Sequence, residues 1–338
     1  MKKNLNWGMV SEYRNEIFGL SAILVIISHA PGMKLPVYLE SVRPLLIHGN
    51  IGVDIFLFLS GMGLWFSFSK DQNIKNFYMK RIRRLLSPWI CIAVPYFIIQ
   101  DLLVSSCDFG QFFMDISTLS FWANGSGMWF VSYIVVCYLV FPLVFKGLNR
   151  KKPLFAAVII CIGLVAANIF MYIYFYDCFA RLELARGGIF VLGCCFAPKI
   201  QQKKEITMAV PIGCIFMYFV TRIAIVLIMR NVSQVVVKTT AIRYAYIWAA
   251  MGIMLFVPVF LQWADNCSLN KALRWFGGIS IEVYLMHVCV MNIYSISAFG
   301  REHMEVIYYF LIIVPVSVVL AWGVKGVTAK LRISQAGN

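Results

Sequence analysis

The sequence predicts an all-α integral membrane protein, a polytopic bundle of about ten transmembrane helices with both termini in the cytoplasm. Of its 338 residues, 61% are hydrophobic and only 13% are charged, and the mean hydropathy is +0.79. Soluble domains are about 45–50% apolar and about 25% charged, so this apolar excess is more than a soluble core would bury. The composition also argues against disordered, collagen-like and disulfide-scaffold proteins.

Ten apolar runs approach the length of about 20 residues that a helix needs to cross the hydrocarbon core. The sixth run is the shortest, and it is interrupted by Gly187, Gly188 and Gly193. Because no soluble domain fits between the runs and no internal repeat is visible, residues 1–338 are predicted to form a single membrane domain. The runs cover residues 15–33, 50–68, 85–105, 128–145, 154–175, 185–198, 207–229, 244–263, 278–297 and 307–324.

The basic residues predict the orientation of the chain. It carries 30 Lys and Arg against 15 Asp and Glu, a formal net charge of +15. In a soluble protein this excess would suggest a nucleic-acid partner, but in a membrane protein it first raises the question of loop asymmetry. With a cytoplasmic N-terminus, 21 of the basic residues lie inside, 8 lie outside with Arg186 among them, and Arg222 lies within a span. The positive-inside rule therefore favours cytoplasmic termini and an even number of spans.

Apart from Arg186 at the edge of the sixth run, seven ionisable residues fall within the predicted spans, where a charge costs about 2.5–3.5 kcal/mol on insertion scales. Asp101 and Glu16 lie near span ends, from which they can reach the interface. The others are expected to face protein or a water-filled cavity, and are therefore candidates for function. For each of them, a helix–helix hydrogen bond that only stabilises the bundle remains the alternative. The seven are Glu16, His29, Asp54, Asp101, Arg222, Glu282 and His287.

His29 is the candidate with the most chemical interest. It lies toward the outer end of the first span, and Pro31 and Gly32 follow it and are expected to end the helix. Imidazole can take a proton from an alcohol and pass one to a leaving group. Arg14 lies at the inner end of the same helix, fifteen residues earlier. It is either a lipid-headgroup anchor or part of a site.

A second cluster of charge lies in segment 76–88, interpreted as a cytoplasmic loop that enters a helix with Pro88 in its early turn. Arginine side chains match phosphate oxygens in a bidentate manner. The cluster is therefore either a site for a phosphorylated donor such as an acyl-coenzyme A (acyl-CoA), or a stop signal that binds anionic lipid. Its basic residues are Lys80, Arg81, Arg83 and Arg84.

Five segments in this order resemble acyltransferase family 3, whose membrane proteins transfer acyl groups to extracytoplasmic sugars. They are residues 14–29, 52–61, 77–88, 128–130 (with Tyr138 and Pro142) and 279–287. The resemblance implies that His29 is a catalytic base, that the arginines of segment 77–88 lie on the donor side, and that the second span packs against the first. Many members place an arginine eleven positions before this histidine, where the present chain has Phe18. The nearest arginine is Arg14.

The expected function is that of a membrane O-acyltransferase, most simply an O-acetyltransferase. It would move an acyl group from cytosolic acyl-CoA to a hydroxyl of a cell-surface carbohydrate. The resemblance implies a multi-pass protein of a bacterial plasma membrane, with acyl-CoA as donor substrate and no permanently bound cofactor, metal or nucleic acid. A transporter or flippase of a lipid-linked sugar or small anionic solute is the alternative, and a membrane sensor or scaffold is a third class.

The predicted site has three parts. An aromatic segment before and within the fourth span either stacks on sugar rings or forms an interfacial belt. Asp54 and Glu282 are expected to orient the His29 imidazole or balance its charge. The candidates are His29, Asp54 and Glu282 for catalysis, Arg14, Arg81, Arg83 and Arg84 for the donor, and Trp122, Trp129, Tyr284 and His287 for the acceptor.

Overall fold

The computed structural model describes residues 5–125, 127–174, 184–230, 235–264 and 267–336, and within these ranges the chain is helical without a sheet. Two isolated bridges join Asn6 to Glu205 and Lys34 to Glu305. The first half contains α1 (Met9–Glu12), α2 (Arg14–His29), α3 (Arg43–His48), α4 (Ile51–Lys70), α5 (Ile74–Phe97), α6 (Phe109–Ile116), α7 (Leu119–Asn124), α8 (Trp129–Leu148) and α9 (Pro153–Tyr174). The second half contains α10 (Gly187–Gln201), α11 (Ala209–Ile228), α12 (Val235–Ala264), α13 (Cys267–Gly278), α14 (Ser280–Ile296), α15 (Ala298–Glu302), α16 (Val306–Tyr308) and α17 (Val314–Ala336).

Eight helical segments in the described ranges are long and apolar enough to cross a membrane. A ninth is obtained if α13 and α14, which meet at a bend of 68°, form one span. The remaining run of the sequence prediction, 185–198, corresponds to α10, which has only 15 residues. The all-helical membrane bundle is thus confirmed, whereas the count of ten and the orientation of the termini stay predictions. The eight are Arg14–Gly32, Val37–Lys70, Ile74–Val104, Trp129–Leu148, Pro153–Met171, Ala209–Ile228, Thr240–Ala264 and Val306–Lys330.

The short α10 lies in the core of the bundle, against α4. A Cβ atom added to Gly61 of α4 would lie 2.3 Å from the Phe190 carbonyl oxygen, and one added to Gly193 would lie 2.2 Å from that of Phe58. Small residues let two helix backbones approach this closely in membranes. The glycines that interrupt the sixth run in the sequence therefore allow α10 to pack in the centre of the bundle.

Helix α5 begins earlier than the sequence predicted, and this corrects the interpretation of segment 76–88 as a loop. The Asn73 side chain caps the helix by accepting a hydrogen bond from the Asn76 backbone N–H at 3.0 Å. The helix then continues through Pro88, which lies well inside it rather than in its first turn. A proline removes one backbone N–H and therefore one helical hydrogen bond, but the helix continues past Pro88. The basic residues consequently lie on a helical surface.

The helices of the bundle differ in how far they are buried. Most residues of α4 and α10 are buried, whereas α9 and α11 expose rows of large apolar side chains. Such rows are what a lipid-facing helix presents. Helix α2 packs against the start of α4, where Gly52, and Gly49 just before the helix, approach the backbone of Ser21 and Leu24. The expected packing of the second span against the first is therefore present.

Candidate active site

A cavity of about 610 Å³ opens between α2, α4, α5, α8, α13, α14 and α17. Its size falls in the usual range of small-molecule sites, about 300–1,000 Å³. One carboxylate, that of Glu282, lies on its wall together with polar and aromatic groups that include Ser60, Tyr138 and Tyr284. Six cationic side chains also line it, so an anionic ligand matches its charge. They are Arg14, Lys80, Arg81, Arg83, Arg84 and Lys325.

Helix α5 brings four of these cations to the cavity. Residues three and four apart lie on one face of a helix, so Lys80, Arg81 and Arg84 share a face. Arg81 is half-buried, with its guanidinium 5.5 Å from the centre of the Phe77 ring. Arg83 and Arg84 are exposed. A rigid helix thus presents a graded set of cations to the cavity, with Arg81 against the Phe77 ring and Arg83 and Arg84 at the surface.

Arg14 reaches the same cavity from α2. Its Nη2 donates a hydrogen bond to the Leu59 carbonyl oxygen at 3.3 Å, and its guanidinium lies 5.2 Å from the centre of the Phe18 ring. Gly63 makes room for it, since a Cβ at that position would lie 2.4 Å from Nη2. The structure therefore brings together all four residues that the sequence assigned to the donor. Phe18, which stands where relatives have an arginine, becomes the ring beneath Arg14.

Glu282 lies on the cavity wall but pairs with a cation. The Lys325 Nζ lies 3.3 Å from Glu282 Oε1, and the carboxylate is only 1% exposed. Sequence reasoning missed Lys325, because the last span was predicted to end at residue 324 whereas α17 continues to Ala336. This pairing favours a role for Glu282 at the cavity over the expected one of orienting the imidazole.

Asp54 lies in a second buried cluster, with Arg186. Arg186 Nη1 lies 3.1 Å from Asp54 Oδ2, and both side chains are at most 1% exposed. The guanidinium also donates to Asn50 Oδ1 at 2.9 Å and lies 5.2 Å from the centre of the Trp129 ring. The sequence had counted Arg186 among the outer loop charges, and this is corrected. It directly precedes α10 and is buried because α10 packs against α4.

His29 and His287 form a pair of imidazoles. Their ring centres lie 4.8 Å apart, with the planes at 78°. Each Nδ1 faces a carbonyl oxygen of its own helix, Val25 at 2.8 Å and Val283 at 3.3 Å. A carbonyl only accepts, so this geometry assigns the proton to Nδ1 and leaves the lone pair on Nε2. Each imidazole therefore presents the form that a general base requires.

Tyr284 lies between the cationic cavity and the histidine pair. It lines the cavity, and its ring centre lies 5.8 Å from that of His287. On its other side the ring lies 4.9 Å from that of Phe130, which also lines the cavity. The cavity wall thus continues through Tyr284 to the imidazoles, although neither histidine is itself part of the lining.

The two tryptophans proposed for the acceptor lie apart from the cavity. Trp122 packs against Phe121 on α7, with ring centres 5.1 Å apart, and Trp129 lies beneath Arg186. Over the parts of the chain described above, no group of three or more His, Cys, Asp or Glu side chains could hold a metal ion.

A family model described as an acyltransferase domain, that of acyltransferase family 3, matches residues 19–325. The match extends through the helices between α9 and α12, where the sequence offered no motif. Searches of curated proteins and of solved structures give no match.

Proposed function

Because this chain belongs to acyltransferase family 3 and is a membrane acyltransferase, we propose that it is an O-acyltransferase that uses acyl-CoA, most simply acetyl-CoA. The acceptor in this proposal is a hydroxyl of an extracytoplasmic carbohydrate, reached from the outer side of a bacterial plasma membrane. The donor enters from the cytosol.

The six cations of the cavity are the observation that carries the proposal. Coenzyme A bears a diphosphate and a further phosphate at one end and a thioester at the other. Arginine forks bind phosphate oxygens with two parallel hydrogen bonds, and lysines add point charge. Arg14, Arg81, Arg83 and Arg84 would hold the phosphates, which leaves the pantetheine arm to extend past Tyr284.

Helix α2 sets the distance that the donor has to bridge. Arg14 and His29 are its first and last residues, and fifteen residues of helix rise about 22 Å. A donor with its charge at one end of a long arm and its reactive carbonyl at the other suits such a separation. A compact donor such as an acyl phosphate does not.

In the proposed reaction, His29 Nε2 takes the proton of the acceptor hydroxyl as its oxygen attacks the thioester carbonyl carbon. The new C–O bond forms and the C–S bond breaks, so that the acyl group moves to the sugar and the sulfur leaves as a thiolate. The imidazolium then returns the proton to this thiolate, giving free CoA. The Val25 carbonyl keeps the proton on Nδ1 throughout, because it accepts a hydrogen bond from that nitrogen.

A substitution of His29 tests the proposal. With His29→Ala we expect acyl transfer to fall about 10²–10⁴-fold, the usual contribution of a positioned acid–base group. The matched control is His303→Ala, since His303 stacks on Phe299 and is not part of the cavity lining.

The readout is CoA release by purified protein together with the acyl content of the cell-surface glycan by mass spectrometry. Retained transfer in a well-expressed His29→Ala variant would refute the proposed base. Flux of a sugar without CoA release would instead favour the transporter.

A further inference from the structure

The two oxygens of the Glu282 carboxylate have different surroundings. Oε1 faces the Lys325 Nζ at 3.3 Å. Oε2 is buried and has no hydrogen-bond partner among the residues that the structure describes. An unsatisfied buried polar atom is costly, and a charged one more so. Since Glu282 lines the cavity, a ligand there can supply the missing donor.

The hydroxyl of Ser280, two residues before Glu282 on α14, does not donate a hydrogen bond to Glu282 Oε2. Ser280 Oγ donates its proton to the Gly277 carbonyl oxygen at 2.9 Å. Lys325 is engaged on the other carboxylate oxygen. A phosphate cannot serve either, because it offers only acceptor oxygens and would repel the carboxylate. The group that meets Oε2 must therefore be an uncharged or cationic hydrogen-bond donor.

The position of Glu282 along α14 indicates which part of a donor substrate lies beside it. Tyr284 follows it by two residues and His287 by five, which correspond to about 3 Å and about 7.5 Å along the helix axis. Glu282 thus lines the cavity together with the cations of α5 and shares a helix with His287 of the histidine pair. In acyl-CoA, the segment between the phosphates and the thioester is the pantetheine arm, which carries two amide N–H groups and a hydroxyl.

We propose, on the basis of the function proposed above, that Glu282 Oε2 accepts a hydrogen bond from an amide N–H of the pantetheine arm. Glu282 then determines specificity for the donor. A carboxylate is an acceptor with no proton to give, and its hydrogen bonds are stronger than neutral ones. An acyl donor that lacks such an N–H leaves Oε2 buried and unpaired, and a site built to bind a polar group rejects a substrate without it.

Substrate analogues test this without altering the protein. Two acetyl-CoA analogues are needed, each with an ester oxygen in place of one amide N–H. We expect one of the two to have a KM about 10- to 100-fold above that of acetyl-CoA, the range for a lost hydrogen bond to a charged group. If the wild-type protein uses both analogues as well as acetyl-CoA, the proposal is refuted.

Variants separate this role from simple neutralisation of Lys325. With Glu282→Met we expect the KM for acetyl-CoA to rise by the same factor, and the discrimination between acetyl-CoA and the poorer analogue to disappear. Glu282→Gln keeps an acceptor oxygen and should lie between Met and wild type. If Glu282 only balances Lys325, the double variant Glu282→Met with Lys325→Met will regain the wild-type KM, which contradicts the proposal.

These outcomes are distinguishable from failure of the proposed function. Should the reaction not use acyl-CoA at all, the wild-type protein releases no CoA from acetyl-CoA, and His29→Ala changes nothing. Should the reaction occur but Glu282 not contact the donor, CoA release is normal and the analogues are accepted equally.

Discussion

At the scale of single residues, the ion pair between Asp54 and Arg186 illustrates how a charge within a predicted span acquires its role from a partner that is distant in sequence. The two are separated by 132 positions. Removing one member of a buried pair leaves the other uncompensated, at a cost of about 3–5 kcal/mol. We therefore expect Asp54 mainly to stabilise the packing of α4 and α10 rather than to take part in the reaction.

We expect Asp54→Ala to lower the free energy of unfolding of the detergent-solubilised protein by about 3–5 kcal/mol. The loss should appear as a lower melting temperature in fluorescence-detected size-exclusion chromatography of heated samples. The double variant with Arg186→Met should recover part of the loss, because no charge remains buried. Asp71→Ala is the control, since its pair with Lys80 is largely exposed and pairs of this kind contribute little to stability. An Asp54→Ala protein that is fully stable but inactive would contradict this structural role and favour a catalytic role for Asp54.

Four of the cations that line the cavity could be singled out from the sequence, because Arg81, Arg83 and Arg84 are neighbours in the chain and Arg14 shares a helix with His29. The partners Arg186 and Lys325 could not. Arg186 lies at the edge of the predicted sixth run and Lys325 directly after the last run, and both were counted with the loop charges. Only the packing of α10 buries Arg186, and only the packing of α17 brings Lys325 to the cavity. Residue-to-residue pairing between helices has no periodic signal in one sequence.

At the scale of helices, glycines decide which backbones come into contact. A Cβ added to Gly277 of α13 would lie 1.8 Å from the Asn15 carbonyl oxygen, and one added to Gly19 of α2 would lie 2.1 Å from that of Leu273. This close approach brings Arg274 within 2.6 Å of the buried Glu16 carboxylate. The contact fixes the start of α2, and with it Arg14.

We expect Gly277→Ala to destabilise the solubilised protein by about 1–3 kcal/mol, the usual cost of overpacking. The matched control is Gly213→Ala in α11, where an added Cβ meets nothing within 4 Å. There the better helix propensity of alanine should leave stability unchanged or raise it by up to about 1 kcal/mol. The measurement is a comparison of the melting temperatures of the two variants with that of the wild-type protein. Equal stability would mean that α2 and α13 do not pack as described.

Helix ends were harder to predict than helices. Hydropathy locates the part of a helix that crosses the hydrocarbon, and for α5 this window begins near residue 85. The helix itself begins at Ile74, because Asn73 supplies a cap and polar residues can continue a helix into the interface. The same effect lengthens α17 beyond residue 324. The polar extensions, invisible to a hydropathy window, carry the cations of the site.

At the scale of the whole molecule, the central expectation is orientation. The positive-inside rule assigns the start of α5 to the cytosol and the segment between α2 and α3 to the outside. A membrane-impermeant maleimide should then label Tyr38→Cys in intact cells but Lys75→Cys only after lysis, in a background whose native cysteines are replaced. Both positions are exposed. The reverse pattern would mean that the donor cannot reach the cavity from the cytosol.

The claim that the cavity binds the phosphates of a CoA donor is tested most directly by comparing acetyl-CoA with acetyl-pantetheine, which lacks phosphates, in wild-type protein and in Arg81→Gln. We expect Arg81→Gln to raise the KM for acetyl-CoA about 10-fold or more, because it removes a charge-assisted contact, and to leave the KM for acetyl-pantetheine unchanged. Lys75→Gln, on the same helix but outside the cavity lining, should change neither value. An equal KM for acetyl-CoA in Arg81→Gln and wild-type protein would contradict the claim.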